Sequence, residues 1–184
     1  CPDFRYPSLN DGRSWPELLT RYEIRNATGS FVVLQRSTAP REYHLTPFED
    51  LLVHFDESVM LPASTNGPIW AEMEIEKSIW GSLVSSLYKP PVLLLTVSLR
   101  DGRRLSYHLI PGMARKGFLL SPLIQSGSGF VSLASADGRN NLTGLEVTSV
   151  TVSADTESDS TCCYRSPMRL RLYYLDYPRQ DLMK

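Results

Sequence analysis

The chain is 184 residues long and carries a formal net charge of −1, from 19 basic and 20 acidic side chains. A chain of this length buries about 70% of the surface of its unfolded state, which is enough for one domain. The charges are scattered, so no basic block predicts binding to nucleic acid. The apolar runs are too short to cross a bilayer, so we expect neither a transmembrane segment nor a signal peptide in this sequence.

Three cysteines, Cys1, Cys162 and Cys163, leave several possibilities open. The Cα atoms of adjacent cysteines lie about 3.8 Å apart, below the usual range for disulfides, so a bridge between Cys162 and Cys163 would be strained. The alternatives are three unpaired thiols, a disulfide from Cys1 to Cys162 or Cys163, or a lipid-modified Cys1 as in mature bacterial lipoproteins. The disulfide would join the N-terminus to the last strands of the chain.

Short strands are predicted along almost the whole chain, separated by turn signals such as Asp101-Gly102. The chain contains 13 prolines and 11 glycines, and no alternation of strands with helices. Many short strands at close spacing are typical of a β-sandwich or barrel. We therefore expect one all-β, antiparallel domain over residues 1–184, with residues 1–20 as an N-terminal extension packed on it. The predicted strands are residues 21–25, 31–35, 42–45, 51–55, 69–76, 92–100, 104–110, 118–120, 130–134, 145–152 and 168–177.

One short helix is predicted within this series of strands, at residues 78–88. Its apolar residues recur at helical spacing, Ser78 can cap its start, and Pro90 and Pro91 end it. Its apolar face is expected to close one end of the sandwich. Residues 15–19 predict a second short helical turn near the N-terminus.

The strand at residues 69–76 alternates strictly, with Glu72, Glu74 and Glu76 on one face. This period of two indicates a half-buried strand. Three carboxylates in series along one strand are typical of a wet surface, whereas glycoside hydrolysis needs two carboxyl groups that face each other across a cleft.

The hairpin around Asp101-Gly102 allows its register to be predicted. A three-residue loop pairs Val97 with Leu105 and keeps one face of the hairpin apolar. It also places Gly102 where a type I turn followed by a bulge needs a left-handed residue. Further along, the apolar pattern changes phase at Thr148-Ser149, which predicts a bulge there.

Aromatic and basic side chains near the predicted ends of elements are the candidate ligand-binding residues: Trp70, Trp80, Tyr88, Arg115 and Lys116. Sandwich domains that bind sugars stack pyranose rings on such aromatic side chains and satisfy the hydroxyl groups with charged or amide groups. The alternative is that Trp70 and Trp80 belong to the core.

Evidence for catalysis is weak. Residues 49–57 hold the densest group of potential metal ligands, including His54 and Asp56 on one strand face, but a third ligand at a recognisable spacing is missing. A solvated strand edge is the favoured interpretation, and a hydrolase using this group is the minor alternative. The sequence predicts no catalytic residue, no catalytic metal and no cofactor, and it leaves a structural calcium ion open.

The run from residue 74 to residue 124 carries a resemblance through four motifs: residues 87–91 (Leu-Tyr-Lys-Pro-Pro), 101–102 (Asp-Gly), 109–115 (Leu-Ile-Pro-Gly-Met-Ala-Arg) and 117–124 (Gly-Phe-Leu-Leu-Ser-Pro-Leu-Ile). It resembles the extracytoplasmic β-sandwich region appended to some bacterial multi-spanning membrane proteins of the glycosyltransferase type. The resemblance implies a jelly-roll-like sandwich in the periplasm or at the cell surface, associated with the membrane through a missing segment or a lipid anchor. It transfers no catalytic residue.

Two functions follow from these observations. The first is a non-catalytic extracytoplasmic module that binds carbohydrate or positions a glycan-processing, membrane-embedded partner, which predicts exposed aromatic side chains around a groove. The alternative is a structural or assembly subunit of a cell-envelope complex or filament, lipid-anchored at Cys1, which predicts unpaired strand edges or an apolar patch.

Overall fold

The computed structural model describes residues 4–28, 31–63, 66–79, 81, 92–154 and 163–181, with only the backbone of Arg139. Within these ranges the secondary structure follows the chain in a simple order. The elements are helix α1 (Ser14–Arg21), strands β1 (Tyr22–Thr28), β2 (Phe31–Arg36), β3 (His44–Val53), β4 (Ser58–Met60), β5 (Ile69–Glu74), β6 (Leu93–Leu99) and β7 (Arg104–Leu109), helix α2 (Pro111–Ala114), strand β8 (Phe118–Ser121), helix α3 (Gly127–Ala134), a 3₁₀ helix (Asp137–Leu145), and strands β9 (Val147–Ala154) and β10 (Met168–Asp176).

The strands form antiparallel sheets, so the chain is mostly β with few helices. Strands β1 and β2 form a two-stranded sheet, which we call the ribbon. Sheet I has the order β3-β10-β5-β8, and sheet II has the order β4-β9-β6-β7. Each neighbouring pair within the two larger sheets is antiparallel.

Sheets I and II share one hydrophobic core. In β6 of sheet II, residues alternate between buried and half-buried along the whole strand, as expected when one face of a sheet packs inward. In β10 of sheet I, Met168, Leu170 and Leu172 are likewise buried, whereas Arg169 points outward. The inward side chains of both sheets belong to the same cluster.

The structure confirms the predicted register of the β6–β7 hairpin. Val97 pairs with Leu105, and the loop between the strands has Gly102 at φ +89°. Only glycine adopts such a conformation without a steric penalty, which explains the Asp-Gly sequence at this turn. The predicted bulge is also confirmed, because the β6–β9 register shifts so that Thr148 has no partner on β6.

A second hydrophobic cluster lies on the outer face of sheet I. Helix α1 contributes Leu19, helix α3 contributes Leu133, the 3₁₀ helix contributes Leu142, and the sheet contributes Trp70 and Leu175. The helical elements therefore cover one end of sheet I, while the rest of its outer face carries charged side chains.

The predicted strand at residues 130–134 is wrong, because these residues belong to helix α3. Ser126 caps this helix by accepting a hydrogen bond from the Gly129 backbone N–H at 3.2 Å. Phe130, Leu133 and Ala134 lie at i, i+3 and i+4, so the apolar residues fit a helical period as well as a strand.

The expectation of a single inserted helix also needs correction. Helix α1 matches the short helical turn predicted at residues 15–19, and helices α2 and α3 and the 3₁₀ helix add to it. Most of the predicted helix at residues 78–88 lies outside the described residues. At its start, Ser78 Oγ accepts a hydrogen bond from the Gly81 N–H at 2.9 Å, as expected of a capping serine.

The N-terminal residues enter the core. Tyr6 is 1% exposed, and its hydroxyl donates a hydrogen bond to the Leu120 carbonyl in β8. Its ring packs edge-on against Tyr107 and Phe118. Nearby, the His108 N–H in the edge strand β7 donates to the Phe4 carbonyl at 2.7 Å, so the N-terminal segment covers part of that edge.

Candidate functional site

Trp70 is part of the second hydrophobic cluster and is only 3% exposed. Its indole packs directly on the backbone of Gly117, where an added Cβ would lie 2.3 Å from Trp70 Nε1. Sugar stacking requires a free ring face, and Trp70 has none. We therefore exclude Trp70 from the candidate site, in agreement with the alternative that it is a core residue.

The remaining predicted ligand-binding residues are not gathered into one site. Trp80 and Tyr88 lie outside the described residues. Arg115 and Lys116 follow helix α2 and are exposed, and neither lines the two depressions described below. Of the cysteines, Cys1 and Cys162 lie outside the described residues, and Cys163 is buried. The predicted disulfide therefore stays a prediction.

The carboxylates on the outer face of sheet I belong to a network of ion pairs. Arg171 lies 3.6 Å from Glu72 and 3.3 Å from Glu74, and Arg169 donates two hydrogen bonds to Asp50, at 2.8 and 2.6 Å. The hydrogen bond from Arg169 lowers the pKa of the Asp50 carboxyl. These groups hold neighbouring strands together along one sheet face, which is the wet surface expected from the sequence.

The acidic group at residues 49–57 is dispersed in the structure. Asp50 pairs with Arg169, Glu57 accepts a hydrogen bond from the His54 backbone N–H at 2.8 Å, and His54 Nδ1 lies 3.0 Å from Ser166 Oγ. In the part of the chain that the structure describes, no three His, Cys, Asp or Glu side chains come together as a set of metal ligands.

A large depression among the described residues lies between the ribbon, helix α3 and the segment after β10. We call it the ribbon cavity, and its volume is about 720 Å³. Its lining combines charged and amide side chains with three aliphatic ones. The lining residues are Glu23, Ile24, Arg25, Asn26, Ala27, Arg41, Val131, Arg179, Gln180 and Asp181.

Gln180 joins the three walls of the ribbon cavity. Its side chain, 7% exposed, accepts a hydrogen bond from the Ile24 N–H at 3.0 Å and donates one to the Tyr22 carbonyl at 2.7 Å. Its backbone N–H donates to the Ala134 carbonyl at 2.8 Å, and its carbonyl accepts from the Ala136 N–H at 3.1 Å. This buried amide fixes the C-terminal segment to both the ribbon and the end of helix α3.

Arg41 is held at the C-terminal end of helix α1. Its Nη2 donates to the carbonyls of Leu19 and Tyr22, at 3.0 and 3.1 Å, which satisfies carbonyl groups that a helix end leaves open. Its Nε is buried and has no hydrogen-bond partner among the described residues. A buried donor without an acceptor costs about 1–3 kcal/mol, so the described residues leave the guanidinium group of Arg41 incompletely satisfied.

The other two arginines of the ribbon cavity differ in their contacts. Arg25 donates to Gln35 at 2.6 Å and lies 3.5 Å from the Glu23 carboxylate. Arg179 is half-buried and makes no hydrogen bond or ion pair with the described part of the chain. Arg179 therefore lines the cavity, and the described part of the chain uses none of the five N–H donors of its guanidinium group.

A second depression, the Trp15 groove, has a volume of about 610 Å³ and is mainly apolar. Trp15 of helix α1 lies 5.9 Å from the Phe130 ring of helix α3, measured between centroids. Gln125 and Ser126 form its polar edge. The other lining residues are Pro7, Leu18, Val32, Leu34, Ile124 and Gly127.

Sequence reasoning missed both depressions. The ribbon cavity draws its polar residues from three distant parts of the chain, and only the fold brings Arg25, Arg41 and Arg179 together. The sequence predicts a short helical turn that contains Trp15, but the role of Trp15 as a groove wall depends on Phe130, which the sequence pattern places in a strand. The charged residues gave no signal that sets them apart from ordinary surface residues.

No helix in the described ranges is both long enough and apolar enough to cross a membrane. In comparisons with protein-family models, with curated proteins and with solved structures, nothing matches this chain.

Proposed function

We propose that the chain is a jelly-roll-like β-sandwich. The support comes from the order in which the strands from β3 to β10 pair. Strand β3 pairs with β10, β4 with β9, β5 with β8, and β6 with β7. A long antiparallel hairpin that is rolled into two facing sheets has this nested pairing, which is the arrangement of a jelly roll.

We propose further that this sandwich is a non-catalytic, extracytoplasmic module that binds carbohydrate in the ribbon cavity. The observation that carries this proposal is that charged and amide side chains line the cavity. The hydrogen bonds of Gln180 hold the backbone segments that carry them in place. Its volume falls within the range of about 300–1,000 Å³ that is usual for small-molecule sites. The extracytoplasmic location and a membrane-embedded partner rest on the resemblance in sequence.

The chemistry of the lining suits a sugar. A sugar hydroxyl both donates and accepts hydrogen bonds, and the cavity offers donors from Arg179, acceptors from Glu23 and Asp181, and both from Asn26. Val131 of helix α3 supplies an aliphatic surface for the C–H groups of a sugar ring. None of the described residues that line this cavity is aromatic, so we base recognition on hydrogen bonds rather than on stacking.

The proposal can be tested by filling the cavity without changing its charge. We expect the full chain to bind sugars in a glycan array and in ligand-observed NMR, and Val131→Trp to abolish that binding. Val33→Trp is the matched control, because Val33 is 54% exposed on the ribbon and lines neither depression. Unchanged sugar binding by a folded Val131→Trp variant would contradict the proposed site.

A second candidate function, an assembly subunit of a cell-envelope complex or filament, is favoured by one observation. Strand β2 of the ribbon exposes two apolar side chains, Phe31 at 74% and Val33 at 54%. Apolar side chains that are exposed close together are typical of surfaces that contact other proteins. If this function is correct, light scattering will show concentration-dependent association that Phe31→Ser reduces. Leu52→Ser, which alters a 68% exposed residue on sheet I, is the control and should leave association unchanged.

A further inference from the structure

The ribbon cavity has more positive than negative groups. Three arginines line it against two carboxylates, those of Glu23 and Asp181, which gives a formal charge of +1. Arg25 and Glu23 lie 3.5 Å apart and neutralise each other in part. Arg41, Arg179 and the carboxylate of Asp181 remain, and among the described residues neither arginine forms an ion pair.

The two remaining arginines keep hydrogen-bond donors that the described residues do not use. Arg41 is held by two backbone carbonyls, yet its buried Nε has no acceptor among the described residues. Residues on both sides of Arg179 are held by hydrogen bonds. The buried Tyr177 donates to the Leu133 carbonyl at 2.7 Å, and the Gln180 side chain donates to the Tyr22 carbonyl of the ribbon at 2.7 Å. The backbone that carries Arg179 is therefore held, while its guanidinium group stays without a partner in the described part of the chain.

We propose that the ligand of the ribbon cavity is an acidic sugar, whose anionic group is bound by Arg41 and Arg179. This inference rests on the proposed carbohydrate-binding function and specifies the class of sugar. A guanidinium group binds carboxylate, phosphate or sulfate through paired, charge-assisted hydrogen bonds, which are stronger than those to neutral hydroxyls. The walls of a concave site also strengthen the attraction, because they reduce screening by water.

The test compares matched ligands on the full chain by isothermal titration calorimetry at constant ionic strength. The probes are glucuronate and galacturonate with their neutral counterparts glucose and galactose, together with glucose 6-phosphate and inorganic phosphate. We expect at least one acidic sugar to bind about tenfold more tightly than its neutral counterpart, as a charge-assisted hydrogen bond would give.

Arg179→Gln is the informative variant, because Arg179 makes no hydrogen bond or ion pair with the described residues and its loss should leave the fold intact. Arg41 is less suitable, since it also holds the end of helix α1. We expect Arg179→Gln to reduce the preference for the acidic sugar over the neutral one severalfold, because only Arg41 then remains to bind the anionic group. Arg115→Gln removes the same charge from an exposed position outside the cavity and should behave as the unchanged protein.

The outcomes separate this inference from the proposed function. If neutral and acidic sugars bind equally and Arg179→Gln has no effect, the acidic ligand is ruled out while carbohydrate binding stands. If inorganic phosphate binds as tightly as glucose 6-phosphate and depends on Arg179, the anion site is supported and the sugar is not. If none of these probes binds, the acidic-sugar inference fails, and the glycan array with Val131→Trp decides the proposed function separately.

Discussion

Gly117→Ala tests the close packing between the backbone just before β8 and the indole of Trp70 in β5. Gly117 has a φ of +86°, and its Cα faces the indole of Trp70. A Cβ at this position would lie 2.3 Å from Trp70 Nε1, 2.6 Å from Cε2 and 2.7 Å from Cζ2. These separations are shorter than van der Waals contact, and Trp70 is too buried to move aside freely.

The expected cost has two parts. An alanine held at a positive φ costs about 1–2 kcal/mol relative to glycine. Insertion of a methyl group into a packed site costs about 1–3 kcal/mol more, because the surrounding side chains must shift. We therefore expect Gly117→Ala to reduce the free energy of unfolding by about 2–5 kcal/mol, which is a large share of the total for a domain.

Two other glycines separate these contributions. Gly102 has a φ of +89° but nothing within 4 Å of an added Cβ, so Gly102→Ala should show only the backbone part, about 1–2 kcal/mol. Gly112 in helix α2 has an ordinary φ and open space around it, so Gly112→Ala should be neutral or stabilising by up to about 1 kcal/mol. Urea unfolding followed by circular dichroism measures all three variants.

A double-mutant cycle with Trp70→Leu then assigns the steric part to the indole. In the Trp70→Leu background the ring atoms nearest Gly117 are absent, so Gly117→Ala should cost about as much as Gly102→Ala, about 1–2 kcal/mol. The reasoning is refuted if Gly117→Ala costs no more than Gly102→Ala in the unchanged protein. It is also refuted if the cost of Gly117→Ala is the same with and without Trp70.

Two further predictions concern ionisable groups. Burial raises the pKa of Tyr6 well above its usual 10.0, so its contribution to stability is present below that pH and is lost as the pH rises through the raised value. Tyr6→Phe should lower the free energy of unfolding by about 1–3 kcal/mol, because it leaves the Leu120 carbonyl unpaired. Urea unfolding at about pH 8 and pH 11 should show a smaller difference between the two proteins at the higher pH. A difference that stays constant would argue against ionisation of Tyr6. The hydrogen bond from Arg169 lowers the pKa of Asp50 below 3.8, so its contribution is present above that pH and is lost as the pH falls through the lowered value. Asp50→Asn should therefore unfold with a weaker dependence on pH in the acid range, and an unchanged acid profile would show that the Arg169 contact is not formed in solution.

Much of the fold could be predicted because its strands follow simple rules. A period of two along β6, together with Asp101-Gly102 at the turn, defined the hairpin register, because a shift by one residue would expose Val97 and its neighbours. The bulge at Thr148 was also visible, since the apolar residues of β9 change phase there. In both cases the inward face of one strand determined the result without information about the rest of the chain.

Helix α3 could not be predicted in the same way. A window of five residues that contains Phe130, Val131, Leu133 and Ala134 fits either period, and this helix shares its hydrophobic cluster with Trp70 and Leu19 from distant parts of the sequence. The capping bond from Ser126 to Gly129 was the available local signal. Trp70 is buried in the cluster that contains Leu19 of helix α1 and Leu133 of helix α3, and the backbone of Gly117 lies against its indole.

The candidate site could not be predicted from the sequence for a related reason. Arginines at positions 25, 41 and 179 look like ordinary surface residues in the sequence, and what distinguishes them is the cavity that they share. That cavity exists because Gln180, a polar residue, is buried and makes four hydrogen bonds to β1 and to residues 134–136. A polar side chain is buried only where its partners are provided, so the role of Gln180 depends on contacts that no local pattern contains. The proposed binding site thus depends on the C-terminal segment: Gln180→Ala should open the cavity and reduce ligand affinity without removing any of its three arginines.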